Sequence, residues 1–171
     1  MITREFLLNV MPHVHNLDAI LPFLLEGCAT YEINVVQREN QFIAQVAHES
    51  CEFRYLAEIA SGAAYEGRKD LGNTEAGDGV RFKGRGLIQI TGRSNYKACG
   101  NALGVDLLSN PEQLETPEYA VKSACWFWHD RGLNALADIP DFLRITKRIN
   151  GGTNGLADRQ MYLDRANKFN A

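Results

Sequence analysis

The sequence has no surplus of positive charge: 18 lysines and arginines stand against 21 aspartates and glutamates, a net charge of −3. A dedicated nucleic-acid binder normally carries a basic surplus, so nucleic acid is not expected as a partner. Long apolar runs are missing as well. The N-terminal stretch MITREFLLNVMPHVHNLDAILPFLLEG is interrupted by Pro12, His13, His15, Asp18 and Pro22. It therefore reads as neither a signal peptide nor a membrane span, the latter needing about 18 consecutive apolar residues. Synthesis in a cytoplasm, with no stable membrane association, is the expectation. Cys28, Cys51, Cys99 and Cys125 lack the close paired spacing of a zinc knuckle and read as free thiols in a reducing compartment. Internal repeats, low-complexity tracts and linkers are absent too. What remains is a chain of 171 residues, 45% apolar and 23% charged, enough for one globular domain over 1–171 with two lobes around a cleft.

Helical periodicity dominates what is present. Thr3 reads as the cap of a helix running to about Met11, closed by Pro12. Apolar residues at 17, 20, 21, 24, 25 and 28 predict a helix over 17–29, with Pro22 tolerable only near its first turn. A further helix is predicted over 41–50, ending close to Glu49. In TPEYAVKSACWFWHDRG, Thr116 caps, Pro117 takes the first position, Glu118 lies in the first turn and Gly132 ends the run. Core packing is the expectation for at least one of Trp126 and Trp128. Two more helices are predicted over 141–149, stopped by Asn150-Gly151-Gly152, and over 156–169. Residues 67–86 break the pattern with six glycines and almost no apolar periodicity. A loop that long in a small domain usually serves a site. The LIQIT that follows, 87–91, has the composition of one short strand. The fold class read from these patterns is mainly α, with one long glycine-rich excursion and at most a short strand region.

The stretch HESCEFRYLAEIASGAAYE places Glu49, Glu52, Glu58 and Glu66 within a short span after His48. A zinc-binding His-Glu-x-x-His needs a second histidine four residues on; Glu52 occupies that position, so no metal is expected. Paired carboxylates suggest glycoside hydrolysis, in which one gives a proton and the other acts on water or the sugar, about 5 Å apart in retaining enzymes and roughly 6.5–9.5 Å apart in inverting ones. Glu49 and Glu58 are nine residues apart, which on a continuous helix places them about 180° from each other. They can share a cleft only if the helix breaks between Ser50 and Glu58. Val46 and Ala47 are placed to desolvate Glu49, which would suit a general acid. Glu66, beside the glycine-rich segment, is geometrically free. Spacing alone does not choose among these glutamates.

Several segments, taken in order, carry a resemblance. AHES at 47–50, FKGRGLIQITGRSNY at 82–96 and RINGGTNGLADR at 148–159 are similar to the corresponding motifs of the glycoside hydrolase family 19 chitinases. More closely, they resemble the phage endolysins built on that catalytic domain, and NALGVDLLSNPEQLE and SACWFW look like the family's middle region. Ser50 stands where threonine is usual and Leu87 where proline is usual. The plant disulfide pattern is missing. Tyr65-Glu66-Gly67-Arg68 reads like the phage branch.

The resemblance implies a lysozyme-like two-lobed helical domain with a central cleft, with Glu49 as general acid, Glu58 as the base of an inverting reaction and Thr91 holding the attacking water. Gln89, Asn95 and Asn150 match sugar-contacting positions, Tyr96 belongs to the same motif, and Arg159 matches an arginine near the carboxylates. His48 and Glu66 complete the set expected around substrate, and Glu66 stays open as the alternative second carboxylate. The implied activity is hydrolysis of peptidoglycan glycan strands during host lysis, by a monomer without cofactor, made in the host cytoplasm and acting in the periplasm once the membrane is permeabilised. Chitin hydrolysis and non-catalytic glycan binding are the rival readings.

Overall fold

Local capping starts two of the helices where the sequence says it should. In this computed structural model, which describes residues 1–171, the Thr3 hydroxyl accepts from the Phe6 N–H and opens α1 (Arg4–Val10). Thr116 does the same for Tyr119 and opens α6 (Pro117–Asp130). Between them lie α2 (Leu17–Thr30), α3 (Val36–Glu49), α4 (Asp78–Arg81) and α5 (Arg93–Leu103). After α6 come α7 (Leu133–Asp138), α8 (Phe142–Asn150) and α9 (Leu156–Phe169). No helix is long and apolar enough to cross a membrane. The mainly helical class is as expected.

Three local expectations are corrected. Pro22 sits in the interior of α2, not its first turn. It removes one backbone bond, but the buried stripe of Leu17, Ile20, Leu24, Gly27 and Cys28 carries the helix through. α3 begins at Val36, five residues before the expected start. Its first turn is held from afar: Arg38 donates to both carboxylate oxygens of Asp138 at 2.7 Å and to the Glu32 carbonyl. LIQIT forms no strand. Gln89 takes a left-handed φ of 58°, its N–H turns back to the Gly86 carbonyl, and only isolated bridges join Arg85 to Ala57 and to Ile90. The apolar residues of that run, Leu87, Ile88 and Ile90, are buried as core of a turn.

Packing joins the helices around one contiguous core. α3 lies along α9, α2 along α6, and α1 also packs on α9. Trp128 is fully buried, its ring edge-on to Phe42 of α3 at 5.3 Å and its Nε1–H donating to Asn134. Cutting such a side chain to alanine costs about 3–5 kcal/mol. Trp126 is only half-buried. The glycine-rich segment is built from a short helical turn at 69–71, which packs on α5, and from α4, which packs on the turn at 63–65 just before the segment. Buried polar groups pin it. Asn73 donates to the Tyr65 carbonyl and accepts from the Arg93 N–H, and the buried Asp78 carboxylate receives two bonds from the Arg93 guanidinium.

Candidate active site

The helix break that the glutamate spacing requires is present. α3 ends at Glu49, and Cys51, Glu52 and Phe53 follow with φ of 49°, 58° and 65°. Three successive non-glycine residues in the left-handed region are held by outside bonds. The buried Ser50 hydroxyl donates to the Val46 carbonyl and accepts from the Phe53 N–H. The buried Glu52 carboxylate accepts from the His13 N–H and from the Tyr162 hydroxyl. Glu52 is therefore an anchor joining this turn to α9 and to the chain before α2.

Glu49, the last residue of α3, receives the Arg159 Nη2 on its Oε1 at 2.5 Å. Arg159 has no exposed surface, and its other nitrogens donate to the Gln45 side chain and the Asn154 carbonyl. Gln45 is itself fully buried and donates to Thr146. The expected apolar wall around Glu49 is thus corrected: Val46 and Ala47 face the core, and a guanidinium faces the carboxylate. A helix C-terminus disfavours a negative charge, and Arg159 supplies the offsetting one. Oε2 of Glu49 has no protein partner.

Glu58 lies on an extended segment that pairs with 84–86. Its N–H donates to the Gly84 carbonyl, and Lys83 Nζ donates to the Glu58 carbonyl. The carboxylate accepts one bond on Oε2 from the Tyr65 hydroxyl at 2.9 Å, while Oε1 is buried without a partner. Burial, and then this bond, push the Tyr65 phenol above its usual pKa, so it stays a donor. Glycine at position 84 is a matter of space. A Cβ there would stand 3.2 Å from Glu58 Oε2, 3.2 Å from Thr91 Oγ1 and 2.7 Å from Gln89 Oε1. The structure thereby brings Glu58, Thr91 and Gln89 together around one bare backbone position.

Beside them opens a cavity of about 540 Å³, lined by Gln89, Thr91, Asn95, Trp126, Phe127 and Asn150 among others. Asn95 donates to the Thr91 carbonyl, and the Thr91 hydroxyl to the Gln89 carbonyl. Four of the predicted site residues therefore share one surface. Neither Glu49 nor Glu58 is in its lining. Hydroxyls and amides beside two aromatic rings are suited to a carbohydrate.

Three residues expected around substrate are placed otherwise, and a fourth, Arg159, stands near a carboxylate as the resemblance implies but away from the surface. Tyr96 has no exposed surface: its hydroxyl donates to the Lys83 carbonyl and accepts from Arg85, and burial raises its pKa. It supports the 83–85 segment from behind. Arg159, equally buried, touches Glu49 and not the surface. Glu66 spends both carboxylate oxygens on the N–H groups of Gly77 and Gly79, at 2.7 and 2.8 Å, and so is a clasp for the glycine-rich segment rather than a free carboxylate. His48 bonds Asp158 through Nδ1 at 2.6 Å and lines a different pocket, with His13, His15 and Glu52. Its ring fills the space over Gly155, where a Cβ would come within 2.2 Å of it. Among the described residues, no group of three histidine, cysteine or acidic side chains is placed to hold a metal.

Two residues were missed. Gln45 precedes Glu49 by one helical turn, so its place on the same face was readable. Tyr65 gave no comparable signal, because the chain between it and Glu58 has no regular period.

Comparison with known proteins concerns the family and the fold. The family model described as chitinase class I matches residues 32–135, more than half of the chain. A glycosyl hydrolase family 19 domain-containing protein of Haemophilus influenzae is 39% identical over 103 residues, covering 60% of this chain and 49% of that protein. An endochitinase of Arabidopsis thaliana is 37% identical over 129 residues, covering 74% and 44%. The chain thus spans about half the length of the curated relatives it matches. Among solved structures, chitinase C from Streptomyces griseus superposes with a TM-score of 0.78 at 23% identity, over 98% of this chain and 74% of that one. A bacterial family 19 chitinase superposes with a TM-score of 0.76 at 20% identity, over 96% and 94%. The structural likenesses show the fold, and the sequence match over residues 32–135 shows the lineage: the chain belongs to glycoside hydrolase family 19.

Proposed function

We propose that this chain is a glycosidase that cuts the glycan strands of bacterial peptidoglycan by an inverting two-carboxylate reaction. The observation that carries the hydrolytic reading is the Glu58 carboxylate. One of its oxygens is fixed by Tyr65, the other is buried with no protein partner, and the Thr91 hydroxyl lies alongside. Buried polar atoms are nearly always paired, so such an oxygen suits a ligand oxygen or an attacking water. In this reading Glu58 and Thr91 hold the water and Glu58 takes its proton. Glu49 protonates the leaving sugar oxygen through Oε2, and Arg159 then stabilises the carboxylate left behind. Gln89, Asn95 and Asn150 hold the sugars. Glu66, with both oxygens engaged, is the weaker choice for the base.

The similarity of residues 65–68 to the phage branch supports a wall substrate and a role in host lysis. A protein made in the host cytoplasm would then reach the periplasm through a permeabilised membrane, working as a monomer. Chitin is the second reading, because relatives and structural neighbours are named chitinases. One experiment tests both: purified protein is incubated separately with peptidoglycan and with N-acetylglucosamine oligomers, and products are read by mass spectrometry and by the anomeric proton signal. Soluble muropeptides, released with inversion, are expected. Products from chitin oligomers alone would replace the wall reading with the chitinase one. Retention of configuration would remove the inverting mechanism.

A further inference from the structure

The chain is acidic overall, yet the cavity beside Thr91 is basic on one side. Arg131, just past the end of α6, and Arg148, in the last turn of α8, both line it. Neither donates a hydrogen bond to a carboxylate. The Arg148 Nη1 donates to the Arg131 carbonyl at 2.9 Å, and no carboxylate lies within ion-pair distance of it. The Arg131 guanidinium lies over the Phe127 ring at 5.1 Å, and its one neighbouring acid, Asp130, stands 3.8 Å away without a hydrogen bond. The single carboxylate in the cavity lining, Asp70, is taken up by Arg68 through two bonds of 2.9 and 2.5 Å.

This geometry bears on the polymer. Strands of N-acetylglucosamine are neutral, whereas every second sugar of peptidoglycan bears a lactyl group extended by a peptide with free carboxylates. We infer that Arg131 and Arg148 form a carboxylate-binding subsite that takes the peptide stem of a wall glycan seated on Gln89, Thr91, Asn95 and Asn150. The inference rests on the glycan reading given above and adds to it a reason for preferring wall to chitin. A guanidinium offers paired donors in one plane, matching a carboxylate better than any neutral sugar group. The competing explanation is structural: a cation beside the terminal carbonyls of α6 stabilises that helix end.

The test uses Glu49→Gln protein and a disaccharide-tetrapeptide muropeptide, either with its carboxylates free or with them capped as methylamides, in calorimetric titrations. Capping should weaken binding about tenfold, and the Arg131→Gln/Arg148→Gln pair should abolish that difference. Arg148→Lys, which keeps a cation and a donor toward the Arg131 carbonyl, should retain most of it. If the double variant fails to fold, Arg131→Gln alone carries the test, since its guanidinium makes no hydrogen bond within the fold; about a threefold reduction in the capping effect is expected. Equal affinity for free and capped ligand, or a capping effect that survives both glutamines, overturns the subsite. A protein that cuts wall but is indifferent to capping keeps its function and loses the subsite. One that cuts neither polymer but feels the cap keeps the subsite and loses the function.

Discussion

Glu49 and Glu58 are supported in opposite ways. Glu49 ends a long helix and meets a fully buried guanidinium, which is tied in turn to Gln45 and, through it, to Thr146. Glu58 stands on an irregular segment and meets a neutral phenol, with no cation on its carboxylate. One carboxylate is placed by charge inside the helical body, the other by hydrogen bonds from a glycine-rich frame. The difference suits the two proposed roles. The guanidinium beside Glu49 offsets the helix C-terminus and stabilises the anion left once the proton has gone. A base that must hold water needs an oxygen left unclaimed.

The comparison can be broken most severely at Glu49 itself. Glu49→Gln should lower activity at least about a hundredfold in a turbidity assay on permeabilised cells while leaving wall binding intact. Retention of most activity would show that the proton comes from elsewhere. Next in size is Arg159→Ala, which leaves Glu49 and Gln45 without their partner and should destabilise the fold by about 3–5 kcal/mol in urea denaturation. Tyr65→Phe is the matching change on the other side. It should cost only about 1 kcal/mol of stability yet lower kcat severalfold, and equal stability losses for the two variants would erase the contrast drawn here. The smallest effect concerns acid. The Arg93 guanidinium holds the Asp78 carboxyl below its usual pKa, so the pair stabilises the glycine-rich frame fully above about pH 4 and loses that contribution as the pH falls through the lowered value. Arg93→Gln should flatten this acid limb in a melting-temperature profile between pH 6 and 2.

Much of the helical body was readable because its signals are local. Thr3, Thr116-Pro117, the glycine stops and the apolar stripe of α2 act over a few residues. α4, α5 and α7 were not anticipated; Gly92 and Gly104 bracket α5, of which only Tyr96, Cys99 and Gly100 are buried. The candidate site divides along the same line. Glu49, Glu58, Thr91, Gln89 and Asn95 followed from motif order, and the helix break followed from spacing. The occupation of Glu66 by Gly77 and Gly79, the burial of Arg159 and the pairing of Tyr65 with Glu58 depend on how a chain without period folds back on itself. Composition there says glycine-rich loop, while the structure shows a frame fixed by Asn73, Asp78 and Glu66.

The partner of Glu49 arrives late. Arg159 is 110 residues further along the chain, and at about 5–20 residues per second synthesis reaches it roughly 5–20 s after Glu49. Until α9 emerges and docks along α3, the proposed proton donor has no counter-charge and Gln45 no guanidinium to receive. The pairing thus ties completion of the candidate site to translation: a chain stalled before α9 would hold every residue lining the cavity beside Thr91 and still leave Glu49 without its partner.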